Sequence, residues 1–146
     1  MSVLHREDQK IARLKSVGLF AGADDTALRH LASAADEVHV AAGTVIISEG
    51  HHHSEGYIIA EGTASVLIDG EEVAEIGVNE VFGELGLFGG HPTASATVAA
   101  KTDVAAFVIP YNLFDQVLDD NPQLLKAIVR QLAERLRATD VLYHDH

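Results

Sequence analysis

Glycines at 43, 50, 56, 62, 70, 77 and 83 stand six to eight residues apart, and between and beyond them lie short runs rich in β-branched residues. The runs are VHV (38–40), TVII (44–47), YII (57–59), SVLI (65–68), EVAEI (72–76), SATV (95–98) and VAAFVI (104–109). Strands this short, at regular spacing and with glycine turns, predict an all-β sandwich, barrel or jelly roll over about residues 37–110. Asp69-Gly70 separates two of the runs and predicts a two-residue hairpin, because both turn positions then tolerate positive φ.

The flanks have a different period. Up to about residue 36, Ala, Leu, Lys and Arg dominate. Ile11, Leu14 and Val17-Gly18 predict a helix stopped at the glycine, and Asp24 or Asp25 caps a second helix carrying Leu28 and Leu31. Residues 111–143 read as helical again. Tyr111–Leu118 forms a short helix, and Asn121-Pro122 supplies a cap and a first-turn proline for a long one. Leu125, Val129, Leu132, Leu136, Thr139 and Tyr143 follow each other in steps of three and four, a heptad seam. Leu124 and Ile128 form a second apolar face at the start only. The seam either packs on the chain's own barrel or, in its later turns, meets the same helix of a second copy. The end of the supporting face favours the second arrangement, hence a homodimer. The whole of 1–146 reads as one domain, helical over 1–36, β over 37–110 and helical over 111–143.

Charge narrows the partners. The net charge is −12, and residues 30–100 hold eleven acids with no Lys or Arg. Nucleic acid and anionic membranes are recognised through clustered Lys and Arg, so direct binding to either is not expected. There is no cysteine, which excludes disulfides, thiolate metal sites and thiol nucleophiles. No apolar run has the length of a membrane span, and the N-terminus lacks the layout of a secretory signal, so the expected location is cytoplasmic.

The order of helices, glycine-punctuated β segment and two helices resembles the cyclic-nucleotide-binding domain. Three segments carry the resemblance. EGHHHSEGYIIAEGTASVLIDG (49–70) is similar to the family's loop and hairpin. FGELGLFGGHPTASATV (82–98) resembles its phosphate-binding cassette, nearest the bacterial catabolite-activator (Crp/Fnr) type. NPQLLKAIVRQLAERLRAT (121–139) looks like that group's dimerising helix. The resemblance implies a mainly β fold, a jelly roll or double-stranded β-helix, with N-terminal helices and a long C-terminal helix. It implies a regulatory ligand-binding module rather than an enzyme, and cAMP or cGMP as the first ligands to consider.

Carried over residue by residue, the resemblance assigns a ligand site to Phe82, Gly83, Glu84, Leu85, Gly86, Ala94, Ser95, Ala96 and Thr139. Glu84 would accept a hydrogen bond from a ribose hydroxyl. The N–H groups of Leu85 and Gly86 would face the cyclic phosphate, and Ser95 matches the family's small hydroxyl residue. Phe82 heads the cassette, although it and Tyr57 read as core rather than stacking groups. Thr139 would approach the base, and Asp140 follows it where the group has Ser. The family arginine that neutralises the phosphate should stand at Ala94 or Thr93, and neither is basic. Glu84 is therefore expected to lack a cationic partner, and cyclic nucleotides to bind weakly or not at all. Gly56 replaces a large apolar residue, which predicts a hole beside the pocket. Only His144, Asp145 and His146 follow Tyr143, too few for a DNA-reading domain, so any output is expected to pass through a protein partner.

The nine histidines include the run His51-His52-His53. It reads first as a solvated loop. His51, His53 and Glu55 are its only metal candidates, since His-x-His followed by Glu and Gly62 partly matches a cupin, although the His-to-Glu interval is too short and no second cupin motif follows. A third reading is pH response, if the run and His91 lie near Glu49, Glu55 or Glu84. Ser95 and Thr97 have no partners that would make them nucleophiles. The alternatives are a dimeric interaction scaffold that has lost ligand response and a cupin-like metal-binding protein.

Overall fold

The computed structural model describes the backbone of residues 3–144 and the side chains of 7–138 except Leu85. The chain starts with α1 (Val3–Lys15) and α2 (Asp25–Ala34). Asp24 caps α2, its Oδ1 accepting from the Ala27 N–H at 2.8 Å. Eight strands follow: β1 (Asp36–Val40), β2 (Val45–Ile47), β3 (Glu55–Glu61), β4 (Ala64–Ile68), β5 (Glu71–Ile76), β6 (Val81–Phe82), β7 (Thr97–Ala100) and β8 (Val104–Pro110). Then come α3 (Tyr111–Asp120) and α4 (Pro122–His144). Among the described residues no helix is long and apolar enough to cross a membrane.

The strands form two four-stranded antiparallel sheets, ordered β1-β8-β3-β6 and β2-β7-β4-β5. This is the jelly roll that the family resemblance implies, one of the three architectures left open by the glycine spacing. β4 and β5 pair across Asp69-Gly70, whose φ values of 51° and 82° are those of a turn left-handed at both positions. β6 is two residues long and was too short to register as an apolar run. Ile47, Ile59, Ala64, Phe82, Ala94 and Val98 fill the space between the sheets.

β8 is buried along six consecutive residues because it is covered twice. One face meets the second sheet. On the other, Phe107 and Ile109 join Leu14, Leu28, Phe114, Leu124 and Ile128 in a helix-on-sheet core. Burying side chains of this size contributes about 1.5–3 kcal/mol each. Phe114 is central here: its ring lies 6.1 Å from that of Phe20 and 5.7 Å from that of Phe88, the latter edge-on.

Pro122 opens α4 as expected, but Asn121 does not cap it with its side chain. The Asn121 amide donates to the Val117 carbonyl at 2.8 Å and to His30 Nδ1 at 2.9 Å. It thereby closes the end of α3 and ties α2 to the α3–α4 junction. Leu124 and Ile128 are buried, whereas Leu125, Val129, Leu132 and Leu136 of the seam are exposed. The seam thus does not pack on the chain's own barrel. The side chains of Thr139 and Tyr143, its last two members, lie outside the described residues.

Candidate functional site

The site is built where β6 ends. Gly83 turns the chain with φ +67°, and a short 3-10 helix, Glu84–Phe88, follows. A Cβ at 83 would also stand 2.8 Å from Ile47 Cδ1 and 3.1 Å from the Glu55 carbonyl oxygen. Both backbone conformation and space therefore require glycine. The helix is anchored by Leu87, which is buried against β3. Its side chain fills the space above Gly56, where a Cβ would lie 2.6 Å from Leu87 Cγ. The hole expected beside Gly56 is thus occupied by a residue of the cassette itself.

A cleft of about 240 Å³ lies beside this helix, lined by Ile47, His53, Gly83, Glu84, Thr93, Ala94, Ser95, Ala96 and Val98. It brings together five of the residues assigned from the sequence: Gly83, Glu84, Ala94, Ser95 and Ala96. Phe82 does not line it. Its ring stacks on Tyr57 at 4.9 Å and 4° inside the core. Gly86 does not line it either, and its N–H donates to the Gly83 carbonyl at 3.0 Å. That donor is committed to the turn and is not presented to a phosphate. The side chains of Leu85 and Thr139 lie outside the described residues. Ile47, His53 and Val98 are lining residues outside the assigned set, and Thr93, the alternative position for the arginine, lines it as well.

Electrostatics departs from expectation at Glu84. Arg135 of α4 places Nη1 3.4 Å from Glu84 Oε2, so the carboxylate has a cationic partner, 51 residues away in sequence. The two side chains are 40% and 50% exposed, so the pair is solvent-screened and weak. At the opposite wall Ala94 is buried, with its backbone paired to Gly50 and His51. Lys101 does not reach the cleft; its Nζ lies 3.3 Å from Glu72 and 3.1 Å from Glu75 on β5. Below the site, burial and the neighbouring Glu55 carboxylate push the Tyr57 phenol up to about 12.

The histidine run is an ordered clip rather than a free loop. The His53 N–H donates to the Pro92 carbonyl at 3.1 Å, and the Ala94 N–H to the His51 carbonyl at 2.9 Å. The His52 ring donates from Nδ1 to the His91 carbonyl at 2.6 Å. His51 and His52 are exposed, while His53 is half-buried in the cleft. Among the described residues no group of three His, Asp or Glu side chains is placed to hold a metal ion, so His51, His53 and Glu55 do not converge on one.

A larger cleft, about 380 Å³, separates α1 from the sheet at Arg13, Glu37 and Glu61. None of the cassette residues lines it, and its Arg13 is engaged with Asn79 Oδ1 at 3.0 Å.

Comparison with known proteins agrees with this fold. The cAMP-activated global transcriptional regulator CRP of Salmonella typhimurium is 35% identical over 101 residues, covering 66% of this chain and 48% of that protein. The CRP-like cAMP-activated global transcriptional regulator of Mycobacterium tuberculosis is 30% identical over 139 residues, 91% of this chain and 60% of that one. The chain thus spans about half the length of the curated relatives it matches. The crystal structure of the N-terminal domain of a transcriptional regulator from Streptomyces coelicolor superposes with a TM-score of 0.82 at 29% identity, covering 90% of this chain and 94% of that one. Residues 37–121, the jelly roll and α3, match the family model for the cyclic nucleotide-binding domain, and the chain belongs to that family.

Proposed function

We propose that this chain is a regulatory ligand-binding module whose phosphate site is degenerate, so that cAMP and cGMP bind weakly or not at all. The observation that carries the reading is the cleft wall at Ala94. The cassette keeps Gly83, Glu84 and Ser95, but a buried methyl group stands where the family's phosphate-binding cation is expected. Losing a charged hydrogen bond to an anionic ligand costs on the order of 2–5 kcal/mol, about thirtyfold to several-thousandfold in affinity. Titration calorimetry with cAMP and cGMP at pH 8 tests it. No binding, or a dissociation constant well above micromolar, is expected; a micromolar or tighter constant overturns the reading.

The module acts as a homodimer through α4 and passes its signal to a protein partner. Four exposed apolar residues of one heptad seam, Leu125, Val129, Leu132 and Leu136, support that arrangement. Such a row is costly to leave in water and fits a copy of itself. The same row supports a second reading, a dimeric interaction scaffold without ligand response. The uniform negative charge of residues 30–100 argues against nucleic acid as the partner of this module.

A further inference from the structure

The cleft beside the cassette helix combines one carboxylate with neutral polar groups and apolar walls. Its lining holds Glu84, the hydroxyls of Thr93 and Ser95 and the His53 ring, beside Ile47, Ala94, Ala96 and Val98. Among the described residues no Lys or Arg lines it. Arg135 comes from α4 and meets Glu84 Oε2 without joining that lining. An anion drawn between these walls would give up water without gaining a cation, which is costly. A neutral ligand meets no such penalty.

His53 adds a donor without adding a charge. Its backbone is held by the hydrogen bond to Pro92 and by the bridge between His52 and Thr93. Its ring is pressed against Gly86, where a Cβ would stand 2.6 Å from Nδ1 and 2.7 Å from the Glu55 carbonyl oxygen. Nδ1 is buried there with no hydrogen-bond partner. An imidazolium carries hydrogen on both ring nitrogens and needs an acceptor for each. With Nδ1 sealed off, the site suits the neutral ring, with its hydrogen on Nε2. Such a ring donates to a hydroxyl or carbonyl oxygen, but it sets no positive charge against a phosphate.

We infer that this cleft takes a neutral ribonucleoside in preference to the corresponding cyclic phosphate. The inference rests on the reading of the cleft as a degenerate cyclic-nucleotide-type site, and it names the ligand class that the degeneracy leaves. Glu84, as a carboxylate, accepts hydrogen bonds from the ribose hydroxyls. His53 donates from Nε2 to a hydroxyl oxygen of the kind that cyclisation turns into a phosphate ester. Ile47, Ala94, Ala96 and Val98 cover the apolar faces of sugar and base. The volume of about 240 Å³ exceeds what a pentose alone fills and is small for a dinucleotide cofactor. The module would then report a nucleoside rather than a cyclic nucleotide.

The test is calorimetry at pH 8, where imidazole is ordinarily uncharged. The probes are adenosine, guanosine, cytidine and uridine, each beside its 3′,5′-cyclic monophosphate, with D-ribose as a further arm. The wild-type chain is expected to bind at least one nucleoside, about tenfold or more tighter than the matching cyclic monophosphate and than D-ribose. Glu84→Ala should weaken that nucleoside about tenfold or more, because it removes a charged acceptor. His53→Phe keeps a ring against Gly86 and removes the donor, and should weaken it about three- to tenfold. The wild-type comparisons need no substitution and stand even if a variant fails to fold. A cyclic monophosphate that binds as tightly as its nucleoside overturns the inference. If its constant is also micromolar or tighter, the reading of a degenerate phosphate site falls with it. No binding by any of the four nucleosides overturns the inference and leaves that reading in place. D-ribose binding as tightly as the nucleosides overturns it and marks a sugar site. Nucleoside affinity unchanged in both Glu84→Ala and His53→Phe puts the ligand outside this cleft and overturns it as well.

Discussion

Arg135 Nη1 lies 3.4 Å from Glu84 Oε2, and this contact joins the long C-terminal helix to the first residue of the cassette helix. It places at the ligand site a cation that no residue of the jelly roll up to β7 provides. Because both groups are largely solvated, the pair should matter more for position than for stability. Arg135→Gln is expected to cost less than about 1 kcal/mol, which for a chain of this size is a melting shift of only a few degrees. A loss of several kcal/mol in denaturant titration would mean that Arg135 braces the core instead.

Leu87 and Gly56 should behave as one unit. Leu87→Ala removes a buried side chain and should cost about 2–5 kcal/mol. Gly56→Ala forces Leu87 and the cassette helix outward, with a loss of about 1–3 kcal/mol from overpacking. In the double variant the new methyl group enters the space that Leu87 vacated, so the combined loss should fall short of the two single losses added. Urea titration of the four proteins checks this, and strict additivity would show that the two residues are not in contact.

Tyr57 should make the fold sensitive to alkali. Its phenol is pushed up to about 12 in the folded chain, above its ordinary value of 10.0. The folded state therefore holds the proton more tightly than the unfolded one. The stability this contributes is complete below about pH 10 and is lost as pH rises through about 12. Melting of the wild type should fall more steeply over that window than melting of Tyr57→Phe. Tyrosinate absorbance should show one of the three tyrosines titrating late. Parallel curves for the two proteins would count against the shift.

The exposed seam of α4 gives a test of assembly. Leu136→Asp should halve the sedimenting mass while leaving the monomer fold intact, since surface substitutions are usually within about 0.5 kcal/mol. Leu124→Ala, only one helical face away, should instead cost about 2–5 kcal/mol because its side chain is buried. A wild-type chain that sediments as a monomer at tens of micromolar would remove the dimer.

These contrasts mark what a linear reading can reach. The β4–β5 turn was legible because Asp69 and Gly70 are adjacent and their backbone preference is local. The capping of α2 by Asp24 was legible for the same reason. Helical period separated the face of Leu124 and Ile128 from that of Leu125 and Val129, but it did not say that the second face would be exposed from its first turn. The partners of Glu84 and Gly56 were not legible. Arg135 and Leu87 meet them only after the sheets have closed, and no spacing rule links positions 51 and 31 residues apart. Asn121 failed differently: its preference for capping the next helix lost to the Val117 carbonyl four residues back and to one tertiary acceptor, His30. The histidine run looked like solvent-facing loop because its pairing with 91–94 depends on a strand-like clip that has no hydrophobic signature.

The absence of Lys and Arg between Arg29 and Lys101 has a practical consequence. Strands β1 to β7 and the entire wall of the cleft lie within that interval. Trypsin has no peptide bond to attack there, whatever the local mobility. Its cuts can fall only in the N-terminal helices, at the β7–β8 junction and in α4. A limited digest therefore reads the opening of the helical flanks against strands β1 to β7, which stay uncut, and the effect of a ligand on α4 can be followed by cleavage after Lys126, Arg130, Arg135 and Arg137.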